Sequence, residues 1–434
     1  MTVFDSRQKY EFCSSIEIRK LQESRLNSHL EYVASHSPFY QKMFLEHGIS
    51  VSGITLDTLS SIPLTDKAML GEQNDNFLAV PMSEIVDIVL SSGTTGVSTK
   101  VMYTENDLRR LAYNEKISFA SCGLNSEDVV LLTCTIDRCF IAGLAYFSGV
   151  RSLGAAAIRN GLSSVESHLE IIKRLKPTAI VGVPTFLLKL GQFLKAEGID
   201  PSSTGVKKLV CIGEPIRDRK LEFLKVGEQL EKIWDARIYS TYASSETITS
   251  FCECTAQQGG HLHPDLAVVE IVNDAGDVLP HGETGEVVVT PLAIEGMPLV
   301  RFKTGDVSFI LDEPCQCGRN SLRLGPVLGR KNQMIKFRGT TLYPNSINAL
   351  LDSFPGVKEY YITASTDYEL SDVVKVYVSV ENSSCSAEMI MDKLQARLRV
   401  RPEVIIKSEE QIKNQVYSGN PRKLTRFVDE RKKL

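Results

Sequence analysis

From about residue 85 the chain alternates short apolar runs with amphipathic stretches, and this alternation restricts its fold more than any other feature. Val129–Thr133, Ala155–Ile158, Ala179–Val181 and Lys208–Ile212 are short and almost wholly apolar, as strands buried on both faces are. Between and after them, Val165–Leu175, Phe186–Ala196 and Arg217–Gln229 read as helices. Together they predict a doubly wound α/β layer. Upstream, residues 16–46 keep an approximate helical spacing through Leu21, Leu30, Val33 and Ala34, with a break at Ser37-Pro38. Past Glu270 the texture changes to shorter strands between turn residues (VVEIVN, EVVVT), which predicts a β-rich subdomain.

After Gly329 a compact tail has its own α+β pattern: MIKFRG extended, SINALLDSF helical, strands at Tyr360–Ala364 and Val373–Val380, and a helix over Ala387–Arg397. The expected architecture is therefore α/β: a large N-terminal domain over 1–329 with a β-rich subdomain, and a small α+β C-terminal domain over 330–434. The 434 residues carry 43% hydrophobic and 24% charged side chains, the balance of a globular protein with a sizeable core. A net charge of −4 gives no basic field for nucleic acid or anionic membrane. The first residues lack a signal-peptide core, and no stretch approaches the roughly 20 apolar residues of a membrane span. The sequence thus predicts a cytoplasmic protein with no nucleic-acid or membrane partner.

The apolar run Ile85–Leu90 feeds directly into Ser91-Ser92-Gly93-Thr94-Thr95-Gly96. A strand entering a tight Ser/Thr/Gly loop offers hydroxyls and close-lying amides, the donors that phosphate oxygens require. It is not a Walker loop, since the Gly-Lys-Ser/Thr ending is missing. STYASSET at 240–247 ends in Glu246, whose hard oxygens suit Mg²⁺ shared with phosphate; the plainer reading is a helix N-cap with its first-turn acid. In PLVRFKTGDVSFI, Asp306 sits at a turn, where a carboxylate can accept from two vicinal ribose hydroxyls or simply cap the turn. Arg330, in GRKNQMIKFRG, suits a forked contact to phosphate or carboxylate, or belongs to a solvated linker.

Ten cysteines in a chain without a secretory leader are thiols or ligands, not a disulfide framework. Six candidates, Cys252, Cys254, His261, His263, Cys315 and Cys317, lie within 66 residues and suit a closed tetrahedral zinc site. CQCGR reads as a turn that lets both its cysteines bind, whereas FCEC reads as strand, from which one faces the metal. The preferred set is Cys254, His261, Cys315 and Cys317, with Cys252 and His263 as substitutes. Buried thiols without metal are the alternative.

In order and spacing, SSGTTG, then Tyr-x-x-Ser-Glu, Thr-Gly-Asp and Gly-Arg resemble the adenylate-forming superfamily of acyl-CoA synthetases and adenylation domains. HSPFYQKMF, VGVPTF, IGEP, PCQCGR and RGTTLYPNSI make the chain most similar to its phenylacetate–CoA ligase branch. The resemblance implies that a carboxylic acid, aryl or short acyl, is activated by ATP to an acyl-adenylate and passed to coenzyme A. It equally admits a stand-alone adenylation enzyme loading carrier-protein phosphopantetheine, and, less so, a catalytically idle nucleotide-binding homologue. By the same resemblance Ser91 to Gly96 hold the β- and γ-phosphates, and Gly213 and Glu214 border adenine. Thr241 and Tyr242 contact adenine and the α-phosphate, with Glu246 on Mg²⁺ and Asp306 on the ribose. Arg330 follows it to ribose or phosphates, Lys423 supports adenylation, and the small domain rotates about Asn332. The acid pocket is expected near Phe140–Phe147, Pro184–Phe186 and Ala243–Ser245. Homodimerisation is a further implication. The glycine loop continues Val97-Ser98-Thr99 without the lysine often found there, so the charge at the phosphates is expected from Mg²⁺ and Lys423. Lys100, one place late, is given no catalytic role.

Overall fold

The computed structural model describes residues 9–91, 99–137, 139–337, 340–366, 372–381, 385–398, 400–417 and 425–431. Ser92 to Gly96 and Lys423 lie outside the described residues. The chain divides into two compact units, Met1–Thr304 with Ser308–Val327, and Gly305–Val307 with Leu328–Leu434.

The first unit opens with α1 (Ser15–His36), started by a Ser14/Glu17 capping box, and α2 (Pro38–Glu46), whose proline stands at the first helical turn. A short α3 (Lys67–Glu72) follows, N-capped by Asp66. β1 (Ile85–Ser91) and β2 (Thr99–Thr104) pair antiparallel, bringing Ser91 opposite Thr99. Then come α4 (Glu105–Ser121), β3 (Val129–Leu132), α5 (Ile141–Leu153), β4 (Ala156–Arg159), α6 (Val165–Leu175), β5 (Ala179–Gly182) and α7 (Pro184–Ala196). β6 (Lys208–Ile212), α8 (Lys225–Trp234), β7 (Arg237–Ser244) and β8 (Thr249–Cys252) complete a six-stranded sheet of order β4-β3-β5-β6-β7-β8. Its pairs are parallel except β7 with β8.

The two-residue period of the strands divides the core cleanly. Leu131, Ile180, Leu209 and Cys211 join the cluster built on Leu169, Leu187, Leu190 and Trp234 of α6, α7 and α8. Their neighbours Val130, Leu132, Val181 and Val210 join Phe119, Tyr146 and Val150 of α4 and α5 on the opposite face. Each such buried aliphatic stabilises the fold by about 1.5–3 kcal/mol relative to exposure. The strands are apolar throughout because both faces are covered by helices.

The helix expected over Arg217–Gln229 starts only at Lys225 and runs to Trp234. Arg217 forms a buried ion pair with Glu253 (2.7 Å) and stacks on Phe223, while Asp218 accepts from the Lys220 and Glu222 amides. These bonds fold 217–223 into a turn and remove the amides from any helix. The β-rich part comprises β9 (Gly260–His261), the antiparallel pair β10 (Ala267–Val272) and β11 (Gly285–Pro291), β12 (Phe302–Ser308), β13 (Ile310–Leu311) and β14 (Arg323–Leu324). β14 lies between β13 and β9.

In the second unit β15 (Gly329–Arg330) pairs with Asp306 and Val307. β16 (Ile335–Phe337) and β17 (Thr340–Leu342) form a hairpin ahead of α9 (Pro344–Asp352). β18 (Val357–Thr366), β19 (Asp372–Val380), α10 (Ala387–Leu398), β20 (Glu403–Ile406), α11 (Glu409–Val416) and β21 (Phe427–Asp429) build a sheet of order β20-β19-β18-β21. Tyr360 and Ile362 face Leu350, Leu351 and Ile390, whereas Tyr361 faces Ile412 and Val416. One face therefore packs on α9 and α10 and the other on α11.

Candidate active site

In an open α/β sheet the carboxyl ends of the strands leave a ligand crevice. β6 ends at Ile212, and Gly213 follows with φ +75°, a left-handed conformation that glycine takes without strain. The reversal brings the Glu214 carboxylate to the start of α7, where it accepts from the Thr185 amide (3.1 Å) and hydroxyl (2.9 Å). IGEP and VPTF are thereby joined. β7, beside β6, delivers Thr241 and Tyr242 at the same end, Thr241 opposite Ile212. Thr241 Oγ1 is buried beside the Cys252 thiol, and Ser91 Oγ, at the end of β1, is buried without a hydrogen bond to the described residues. The Tyr242 ring stacks parallel to Phe251.

Beyond Tyr242 the β7–β8 turn presents Glu246. Tyr103 donates its hydroxyl to the Ser245 carbonyl (3.0 Å), and Ser244 Oγ donates to Glu246 Oε2 (3.0 Å). Lys67 Nζ lies 2.7 Å from Glu246 Oε1. Burial alone would raise the Glu246 carboxyl, but the Lys67 ammonium, with the hydrogen bonds from the backbone and Ser244, holds it below the usual carboxylate range. Asp66, capping α3, and the Thr65 backbone, bonded to Arg301 and Lys303, fix where Lys67 starts. Sequence reasoning missed Lys67, because Thr-Asp-Lys at a helix start reads as an ordinary N-cap. Lys67 is a cation at this turn in addition to the Mg²⁺ and Lys423 expected from the sequence. Lys100 forms an exposed pair with Asp75.

The segments expected at the acid pocket contribute differently. Gly143 of α5 packs so closely that a Cβ there would lie 2.0 Å from the Thr135 carbonyl, which fixes the β3–α5 loop. Phe186 meets the fully buried His168 ring edge-on. A cavity of about 320 Å³ lies beside Phe140, but its other walls are Ile88, Val89, Leu108 and Leu144 rather than Pro184–Phe186 or Ala243–Ser245.

Cys254, His261, Cys315 and Cys317 converge, with their ligand atoms all within 4.8 Å of one another. Cys254 and Cys315 sulfurs are 3.5 Å apart, and Cys317 Sγ is 3.3 Å from His261 Nε2. Zn–S bonds of about 2.3 Å in a tetrahedron give separations near these. His261 Nδ1 faces the Ser321 carbonyl and hydroxyl, which leaves Nε2 as the lone pair for a metal. Burial lowers His261 to about 4, so the ring is neutral, as a ligand must be. The substitutes lie elsewhere: Cys252 is a free thiol beside the free thiol of Cys122, and His263 is held between Glu11 (2.7 Å) and Ser118 (3.0 Å). Cys252 is the last residue of β8 and packs in the core with Phe119 and Tyr239, whereas Cys254 lies beyond the strand end; a carboxylate already occupies His263 Nδ1. Glu11 also binds Arg319 (2.7 Å), a support that sequence reasoning missed because the partners are 308 positions apart.

In the second unit Asp306 Oδ1 and Arg330 Nε lie 3.3 Å apart across the β12–β15 pair. The two residues expected at the ribose and its phosphates thus form one unit. Asn332 is exposed, and its carbonyl and that of Met334 accept from Arg431, which also pairs with Asp372.

Residues 40–292, more than half of the chain, match the AMP-binding enzyme family, and residues 339–431 match the AMP-binding enzyme C-terminal domain. The chain belongs to the AMP-binding enzyme family. It is 32% identical to a phenylacetate-coenzyme A ligase of Thermus thermophilus over 80% of this chain and 77% of that protein. A phenylacetate-coenzyme A ligase of Escherichia coli is 27% identical over 86% and 85%. The fold of this chain is similar to that of a 2-hydroxyisobutyryl-CoA ligase in complex with R3-HIB-AMP: TM-score 0.85 at 22% identity, over 99% of this chain and 94% of the other. Among the described residues no helix is long and apolar enough to cross a membrane.

Proposed function

We propose that this AMP-forming ligase joins a small aryl or short acyl acid to coenzyme A. The acid's carboxylate oxygen attacks the α-phosphorus of ATP and pyrophosphate leaves. The thiol sulfur of coenzyme A then attacks the acyl carbonyl and AMP leaves. The observation that carries this reading is the gathering of Gly213, Glu214, Thr241, Tyr242 and Glu246 at the carboxyl ends of β6 and β7, in a chain of this family. The relatives named as coenzyme A ligases favour coenzyme A over a carrier protein as acceptor.

Gly213 and Glu214 border adenine, and Thr241 and Tyr242 meet adenine and the α-phosphate. Glu246 suits Mg²⁺, which when bound neutralises charge on the leaving pyrophosphate. Lys67, at hydrogen-bond distance from Glu246, adds positive charge to the same place. Asp306 and Arg330 serve the ribose and phosphates, and Lys423 enters for adenylation as the small domain rotates about Asn332. Cys254, His261, Cys315 and Cys317 hold a structural zinc ion, leaving no open position for catalysis.

Acid-dependent ATP–pyrophosphate exchange across a panel of aryl and short-chain acids tests this. Exchange with at least one acid, followed by thioester formation on adding coenzyme A, is expected. Exchange with none supports an idle homologue, and transfer only to a carrier protein supports the alternative acceptor.

A further inference from the structure

The hairpin that presents Glu246 is held from outside its own turn. Ile248, the last loop residue, has φ +49°, a left-handed conformation that a β-branched side chain adopts only under constraint. β8, which follows, is an outer strand of its sheet, so its outward backbone groups have no neighbouring strand. α4 supplies partners for those of Ser250. Three of its residues at i, i+4 and i+8 spacing share the face turned to β8. Ser118 Oγ reaches the Ser250 carbonyl (3.4 Å), and Asn114 both accepts from the Ser250 amide (3.3 Å) and donates to its carbonyl (3.0 Å). Arg110 completes the row. Its Nη1 donates to the Ile248 carbonyl, its Nε to the Leu292 carbonyl (2.7 Å), and its Nη2 to the Leu266 carbonyl (2.5 Å).

Arg110 has no exposed surface. Burial lowers it to about 10, and the nearby carboxylates of Asp107 and Asp265 oppose that fall, so it stays charged at neutral pH. A fixed guanidinium fork is therefore spent on three carbonyls, one of which belongs to the strained residue two places after Glu246. A plain core position would not need a buried cation here.

We propose that Arg110 is a positioning residue for adenylation: by binding the Ile248 carbonyl it holds the Ser245–Ile248 turn in the conformation that aims Glu246 at the metal and phosphates. Arg110 touches no reactant and acts through Ile248. The proposal rests on the reading of Glu246 as the Mg²⁺ carboxylate.

The test compares the Mg²⁺ activation constant for ATP–pyrophosphate exchange with thioester formation from supplied acyl-adenylate, in purified full-length variants. In Arg110→Met the Mg²⁺ constant should rise about tenfold or more, with thioester formation changed by less than about threefold. Adding Ile248→Gly, which occupies the left-handed region without strain, should return the Mg²⁺ constant to within about threefold of wild type. A merely structural Arg110 predicts the reverse, because Ile248→Gly also empties part of a buried cluster and would worsen both readouts. An unchanged Mg²⁺ constant in Arg110→Met, equal losses in both assays, or a double variant worse than the single one overturns the proposal. Should Arg110→Met not fold, the same readouts are taken on Arg110→Lys, which keeps the charge and loses the fork. Glu246→Gln separates the two readings. An unchanged Mg²⁺ constant there overturns the metal role of Glu246, whereas a rise there without one in Arg110→Met overturns the Arg110 proposal alone.

Discussion

Lys67 and Glu246, 179 positions apart in sequence, form an ion pair of 2.7 Å in which the carboxylate is largely buried and the ammonium about a third exposed. The pair places a cation beside the carboxylate proposed to serve Mg²⁺. Lys67→Met should lower kcat/KM for ATP in pyrophosphate exchange by about tenfold or more, since a charge-assisted contact of this kind contributes roughly 1.5–3 kcal/mol. Wild-type exchange kinetics in the variant would remove Lys67 from the site.

The same pair sets a pH dependence. Glu246 titrates below the usual carboxylate range when folded, so its contribution is complete above that range and is lost as pH falls through the folded value. In Lys67→Met, burial remains without its counterweight and the carboxyl rises. The acid limb of the exchange profile should then move up by about one pH unit or more. An acid limb that stays in place would show that Glu246 does not govern it.

Lys423→Ala should cut exchange by about two orders of magnitude or more while largely sparing thioester formation from a supplied adenylate. Equal losses in both half-reactions contradict the rotation of the small domain between them.

Purified protein should contain about one equivalent of zinc, bound by the Cys254, His261, Cys315 and Cys317 set. Cys315→Ser should lose most of it and lower the midpoint of thermal unfolding by roughly 5 °C or more. Less than about a tenth of an equivalent in the wild type would leave these residues as buried thiols.

Asp306→Asn should raise KM for ATP about tenfold or more by removing a charged acceptor from the ribose hydroxyls. Arg330, 3.3 Å from Asp306, would lose its carboxylate partner at the same time. A KM unchanged in Asp306→Asn argues for a turn-capping role alone.

The strands β3, β5 and β6 were legible because burial on both faces leaves an apolar run that nothing else produces at that length. The Arg217–Leu224 turn was not, since it depends on a buried pair with Glu253, which no local pattern announces. Motif order marked Glu246, Asp306 and Arg330, but Lys67, Arg431 and Glu11 act through partners far away in sequence and leave no spacing to read. Arg110, Asn114 and Ser118 escape a sequence reading for another reason. A polar stripe on a helix normally signals the solvent side, and here it is the buried side.

That stripe also bears on assembly. With α4 bonding the outer amide and carbonyl of Ser250, a strand added at β8 would have to displace those bonds; the other edge of this sheet is β4. Ala156–Arg159, partly exposed at that end of the six-stranded sheet, is thus the edge at which this sheet could gain a strand without displacing them.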